Sequence, residues 1–412
     1  MKPSNSSNQN ICSKMFTDLN IRFPYSSIKN CCKTEDEVVS LHDIKKYGLI
    51  ETPGYLAKKA DMLFLNELPK DACRSCIETE PHSLFRSWNT WKNTFTDEQK
   101  LELYKSDNLH TFEFVLSSAC DLKCIYCGSK DSTSWAKELG EDTNSVDEDW
   151  SNTVEHTLFE YFKQKEYTQD SYWFFFSGGE PTYNPKTLRY IQEIKKHVPN
   201  DKLRLVISTN INTKEKIFNR YLKEIQEDRN IKWTFDCSMD GIKEHCEAVR
   251  TGIVWNRAIS NLKKLVLEPN VTIRISPTTN IYSLPQTFEF VSFFYNFLRK
   301  EYKKNRNKDA RCLSDLFNNN LAMEPEMSIL YIPKHYASYF DDAIAFCQEK
   351  GLHNPAKHLT NMKALVGTKI DEAEPEAIKQ KFNYFKLKRS EYNWDELFPH
   401  VCDIVKELQD LE

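Results

Sequence analysis

The chain has 412 residues, 40% of them hydrophobic and 13% aromatic, with a formal net charge of −4. That composition excludes a disordered polymer, and the near-neutral balance gives no bulk signature of a nucleic-acid or membrane surface. The opening ten residues are polar and lack the apolar core of a secretory signal, so the expectation is a cytoplasmic protein in a reducing compartment.

In chain order, Met15 to Phe23 alternates enough for a short strand or two, and a presumed hairpin there carries Cys31 and Cys32. Helical signals run from about Ser40 to Leu68, with Pro53-Gly54 between two segments. Cys73-Arg-Ser-Cys76 reads as a knuckle-like turn, and Phe85 to Tyr104 as aromatic-rich and partly helical. A regular rhythm then begins. Strand patterns at 111–117, 172–176, 203–207, 231–235 and 271–275 alternate with helix patterns at 154–162, 188–197, 214–227, 255–267 and 288–302. A sixth strand is expected within 319–332. Basic residues such as Lys303 and Lys304 read as a solvated face. The final stripe Val401, Ile404, Val405, Leu408 and Leu411 reads as a helix facing the core.

Strands alternating with helices of this length predict a parallel α/β sheet, whose ligands bind at the carboxyl ends of the strands. Those ends carry the unusual residues: Cys120, Cys124 and Cys127 after the first, Ser177-Gly-Gly-Glu-Pro181 after the second, Ser208-Thr-Asn210 after the third and Ser238-Met-Asp-Gly241 after the fourth.

Thirteen cysteines without an export signal point to metal or cluster ligation more than to disulfides. Three thiolates within eight residues leave one iron of a four-iron cubane open, whereas a structural zinc normally takes four protein ligands. A zinc site borrowing a fourth residue is the alternative. Cys237, Cys246, Cys312, Cys347 and Cys402 have no ligand-like spacing and read as ordinary residues. There is no GxxxxGK(S/T) loop, HExxH or GxSxG, so ATPase, simple metalloprotease and serine-hydrolase readings lack their usual support.

The run Cys120-Asp-Leu-Lys-Cys124-Ile-Tyr-Cys127 resembles the CxxxCxxC signature of the radical S-adenosylmethionine superfamily. Ser177 to Pro181 resembles its GGEP motif, and Ser238-Met-Asp-Gly241 its SxDG strand ending. The resemblance implies a 4Fe–4S cluster held by Cys120, Cys124 and Cys127, with S-adenosylmethionine chelating the open iron. Reductive cleavage would then give a 5′-deoxyadenosyl radical that abstracts hydrogen from a substrate. It also implies that Tyr126 packs near the adenine, and that Gly178, Gly179 and Glu180 meet the methionyl ammonium. Ser208, Asn210, Ser238 and Asp240 would serve ribose or carboxylate groups, Arg250 would reach the carboxylate, and Asn280 would close the pocket. Ile211 stands where related enzymes commonly have glycine, so a slightly different loop is expected there.

The earlier cysteines resemble the auxiliary-cluster modules of SPASM and twitch-type members, through Cys12, Cys31-Cys32, Cys73, Cys76, Glu80 and Arg86, with His82 where a small residue is usual. The implied ligands are Cys12, Cys73, Cys76 and one of Cys31 or Cys32, around a second 4Fe–4S cluster or, as the alternative, zinc. The expected architecture is a partial, open parallel (β/α)6 barrel over 108–320, an auxiliary module over 1–107 and a helical extension over 321–412. A peptide or protein substrate is the leading expectation, and a nucleotide, nucleic acid or small metabolite the second. The resemblance further implies a reductase, flavodoxin or ferredoxin as electron donor, and no membrane partner. A non-catalytic iron–sulfur scaffold is the reading of a different class.

Overall fold

The computed structural model describes residues 11–34, 37–65, 73–74, 76, 89–91, 95–143, 146–304, 316–317 and 320–411. Glu80, His82, Arg86 and Cys312 lie outside the described residues. The fold is mixed α/β, with a mostly parallel sheet and many helices. It divides into two compact units, one taking 1–118, 144–178 and 184–205, the other 119–143, 179–183 and 206–412. Among the described residues no helix is long and apolar enough to cross a membrane.

In the first unit, Asp18–Arg22 runs parallel to Thr111–Val115, which runs parallel to Tyr172–Ser177. Ser27–Lys29 turns back antiparallel on Asp18–Arg22, and this hairpin ends before Cys31 and Cys32, which it was expected to carry. The aromatic strands form because their rings have a face to fill. Phe112 stacks on Phe174 at 4.9 Å between centroids, and both meet the edge of Phe162 from helix Glu148–Gln164. Asp147 caps that helix by accepting the Trp150 amide, and the Trp150 indole donates to Val39 O at 2.7 Å.

The second unit begins at the cysteine loop. It takes the end of strand Leu203–Thr209 and the strands Lys232–Cys237 and Val271–Ile275, the last two parallel in register. The expected sixth strand is a two-residue stretch, Asn320–Leu321, parallel to Thr278–Thr279. Among the elements that sequence periodicity missed around the site are helix Thr133–Leu139, helix Lys243–Val249, and a short antiparallel ribbon pairing Lys123–Cys124 with Arg250–Thr251. All are too short to show a period. Toward the C-terminus, helices Pro375–Lys388 and Pro399–Gln409 close over Tyr282, Phe382, Phe385, Trp394 and Phe398. Val401, Ile404, Val405 and Leu408 are buried as the stripe predicts, but Leu411 lies beyond the helix and is exposed.

Candidate active site

The loop Ala119–Cys127 is held by hydrogen bonds almost residue by residue. Ala119 O accepts from the Glu180 amide at 2.8 Å. Cys120 O accepts from Ser134 Oγ and Thr133 Oγ1, and the Asp121 carboxylate accepts from the side-chain amides of Asn210 (3.0 Å) and Asn212 (3.1 Å). Leu122 O takes the Ser132 hydroxyl at 2.7 Å, and Cys124 O takes the Trp135 indole N–H at 2.8 Å. Ser132 also caps helix Thr133–Leu139, so the turn that starts the helix also pins the loop. This is the positioning set that the sequence reading missed. Its visible signal was a run of three small hydroxyl residues immediately before Trp135.

Cys124 is buried, and Cys120 and Cys127 are partly so. Burial pushes all three thiols above the usual range, and the neighbouring Cys124 adds to the shift at Cys120 and Cys127, whereas Arg250 opposes it at Cys124. Metal binding here must therefore displace protons. Arg250 Nη1 lies 3.6 Å from Cys124 Sγ, where the ribbon pairs these two residues directly.

Behind the thiols lies a buried polar knot. Tyr126 donates its hydroxyl to Asp240 Oδ2 at 2.5 Å, the Thr278 amide donates to Asp240 Oδ1, and Arg250 Nε stands 2.7 Å from Oδ2. The Arg250 N–H does not point along that line, which leaves an ion pair and a buried Nε without a hydrogen bond. Asp240 also lines a largely apolar cavity with Pro277, Thr279, Phe290, Phe317 and Phe340.

Other candidates turn inward. Glu180 is buried, and its carboxylate accepts from Thr182, Thr209 and the Asn210 amide, so it braces the strand ends. Burial raises its pKa, and those hydrogen bonds oppose the rise. Asn280 is fully buried and spends its amide on Thr278, Tyr282 and Ser283 backbone groups. Asn210 is tied to Asp121 and to the Asn212 amide. Gly178 has φ 75°, and a β-carbon on it would come within 2.3 Å of Val115 Cγ1, so packing alone demands glycine there. Gly179 follows at φ 50°. Ser208, next to last in its strand, and Ser238, just past the end of Lys232–Cys237, are half-buried. Ile211 takes the left-handed conformation that glycine adopts freely, at φ 55°. The expected difference is thus one of strain, held by burial and by bonds to Thr209 and Asn261.

Two features fit a cluster with a charged organic ligand: three thiols on one fixed loop, and a buried guanidinium N–H lacking a partner beside them. Among the described residues no three His, Cys, Asp or Glu side chains already stand in a metal-holding arrangement. Closing the thiols on a cluster therefore takes rotation of the side chains.

In the first unit, Cys12 pairs across a short ribbon with Thr90, and Cys73 joins Ile11, Met15, Phe16, Met62 and Leu63 in an apolar cluster. The Cys76 amide donates to Cys73 O at 3.0 Å, forming the expected turn. Burial first, then the charges of Cys73 and Cys76, push the Cys12 thiol up to about 11. The thiols of Cys31 and Cys32 lie against one another, with Lys14 near both.

No family model matches the chain, and no curated protein matches it. A solved structure described as native anSMEcpe with bound AdoMet is similar at 19% identity and a TM-score of 0.38, over 59% of this chain. The match spans 61% of that structure, less than two thirds of its length. At that distance the likeness has no bearing on what the site does.

Proposed function

We propose that the chain is a radical S-adenosylmethionine enzyme acting on a peptide or protein. The observation that carries this is the fixed loop bearing Cys120, Cys124 and Cys127, with Arg250 against the Cys124 sulfur and Tyr126 locked to Asp240. The three cysteines hold the 4Fe–4S cluster. When bound, that cluster supplies one electron to cleave the sulfonium of S-adenosylmethionine and leaves a 5′-deoxyadenosyl radical to abstract hydrogen.

The protein's own share is binding and exclusion of water. Arg250, with its unbonded Nε, takes the cofactor carboxylate. The Gly178-Gly179 turn presents backbone to the ammonium, and Glu180, its carboxylate already engaged, holds that turn against the Thr209–Asn210 strand end. Asp240 and Tyr126 exchange bonds with the ribose and adenine, and Ser208 and Ser238 border them. Asn280 shapes the loop over them. The parallel strands belong to a partial (β/α)6 barrel. Cys12, Cys73, Cys76 and one of Cys31 or Cys32 would hold a second cluster, which when bound would supply an electron acceptor and so favour oxidation or cross-linking over methyl transfer. A flavodoxin-type or ferredoxin-type donor reduces the first cluster.

Anaerobic reconstitution of the parent and of the triple Cys120/Cys124/Cys127→Ala variant tests this. The parent should carry more iron and sulfide and form 5′-deoxyadenosine from S-adenosylmethionine under reduction. Cluster without that product would leave only an iron–sulfur scaffold. Zinc at the earlier cysteines would remove the second cluster.

A further inference from the structure

Arg389 follows helix Pro375–Lys388, 138 residues after Thr251 by hydrogen-bond separation, yet its side chain is buried against the ribbon that carries Cys124 and Arg250. A buried guanidinium is costly unless its N–H groups are paired, and here Nε and Nη1 are paired while the buried Nη2 has no hydrogen-bond partner among the described residues. Here Nε donates to Thr251 Oγ1 at 3.0 Å, and Nη1 donates to Glu138 Oε1 at 2.8 Å. The guanidinium carbon lies 5.1 Å from the centroid of the Trp135 ring. Each partner leads back to the cysteine loop. Trp135 donates to Cys124 O, Glu138 accepts from Lys123 Nζ at 2.5 Å, and Thr251 neighbours Arg250 in the strand paired with Cys124. Tyr384 supplies a further bond to Glu138 at 2.8 Å, so the C-terminal helix grips this network twice.

We propose that Arg389 is a positioning residue, which fixes the Lys123–Cys124 and Arg250–Thr251 ribbon so that the Cys124 thiol and the Arg250 guanidinium hold one relative placement. Its value for catalysis rests on the function proposed above. The geometry calls for arginine in particular: a lysine ammonium can answer Glu138, but it cannot also donate to Thr251 from a second nitrogen. The C-terminal extension is then part of the site's construction and more than a cover.

The test reads the metal-free protein first. Under native conditions, alkylation of Cys124 is followed by peptide mapping in the parent, Arg389→Lys, Trp135→Phe and Lys386→Ala. Lys386 sits on the same helix but pairs with exposed Asp395, and it is the control. Cys246, fully buried in the same unit, reports global opening. Arg389→Lys and Trp135→Phe should each raise the Cys124 rate about tenfold, the equivalent of one lost hydrogen bond, with Cys246 and Lys386→Ala unchanged. In the reconstituted enzyme the same two variants should raise KM for S-adenosylmethionine more than they lower kcat. Trp135→Phe carries the test if Arg389→Lys does not fold. Equal rises at Cys124 and Cys246, or an unchanged Cys124 rate, would overturn the proposal. A parent that takes up no cluster would overturn the proposed function and leave the alkylation result standing.

Discussion

Two sets of cysteines sit in contrasting surroundings. The 120–127 loop is built from polar side chains that catch its backbone at Cys120, Leu122 and Cys124, with a cation at one sulfur. Cys12 and Cys73 instead pack with aliphatic and aromatic residues, and Lys14, two residues after Cys12, is paired with Asp18 at 2.8 Å. The difference matches the two roles proposed above. A cluster that would exchange a charged cofactor is suited by fixed polar walls, and one that would only pass an electron by a dry, apolar shell.

Removing each set in turn is the strongest way to break that comparison. Alanine at Cys120, Cys124 and Cys127 should remove about four irons per chain and all 5′-deoxyadenosine formation. Alanine at Cys12, Cys73 and Cys76 should remove a similar amount of iron but spare cofactor cleavage, as judged by iron assay and product chromatography. Loss of cleavage in the second variant would erase the contrast.

The polar wall comes next. Asp240→Asn leaves Arg250 buried without its countercharge, and denaturant unfolding should show a loss of about 3–5 kcal/mol. Acid gives a smaller effect. Burial, with His400 nearby, lowers the pKa of His245 to about 3, and neither ring nitrogen has a hydrogen-bond partner. The folded state refuses a proton that the unfolded state accepts below its ordinary pKa of 6.5. Stability should therefore be flat with respect to this group above pH 6.5 and fall as pH drops toward 3. At pH 5 the loss is about 2 kcal/mol, from roughly 1.4 kcal/mol per pH unit, and His245→Phe should abolish that slope. The smallest change lies on the other side of the comparison. Ser26, in the hairpin before Cys31, holds φ 47°, so Ser26→Gly should gain up to about 1 kcal/mol in the same unfolding assay.

The strand ends and the cysteine spacing were legible because they are local: alternation sets the strands, and three thiols in eight residues set the loop. What holds the loop was not. Arg389 gives no pattern of its own, and its partners Glu138 and Thr251 are distant in sequence. Asp18–Arg22 was visible as a strand, but its parallel seat beside Thr111–Val115 depends on pairing that no short window records. Glu180 and Asn280 were read as cofactor-facing residues, and only three-dimensional bonding shows that their polar atoms are spent on the backbone and on neighbouring threonines. Ile211 was expected to change its loop, yet it keeps the left-handed conformation that glycine adopts freely, because packing overrides its preference.

The most direct measurement is electron paramagnetic resonance of the anaerobically reduced protein, recorded with and without S-adenosylmethionine. One component of the signal should change shape on adding the cofactor, and that component should vanish in the Cys120/Cys124/Cys127→Ala variant. A spectrum indifferent to the cofactor, or a responsive component that survives loss of those three thiols, would contradict an open iron at this loop.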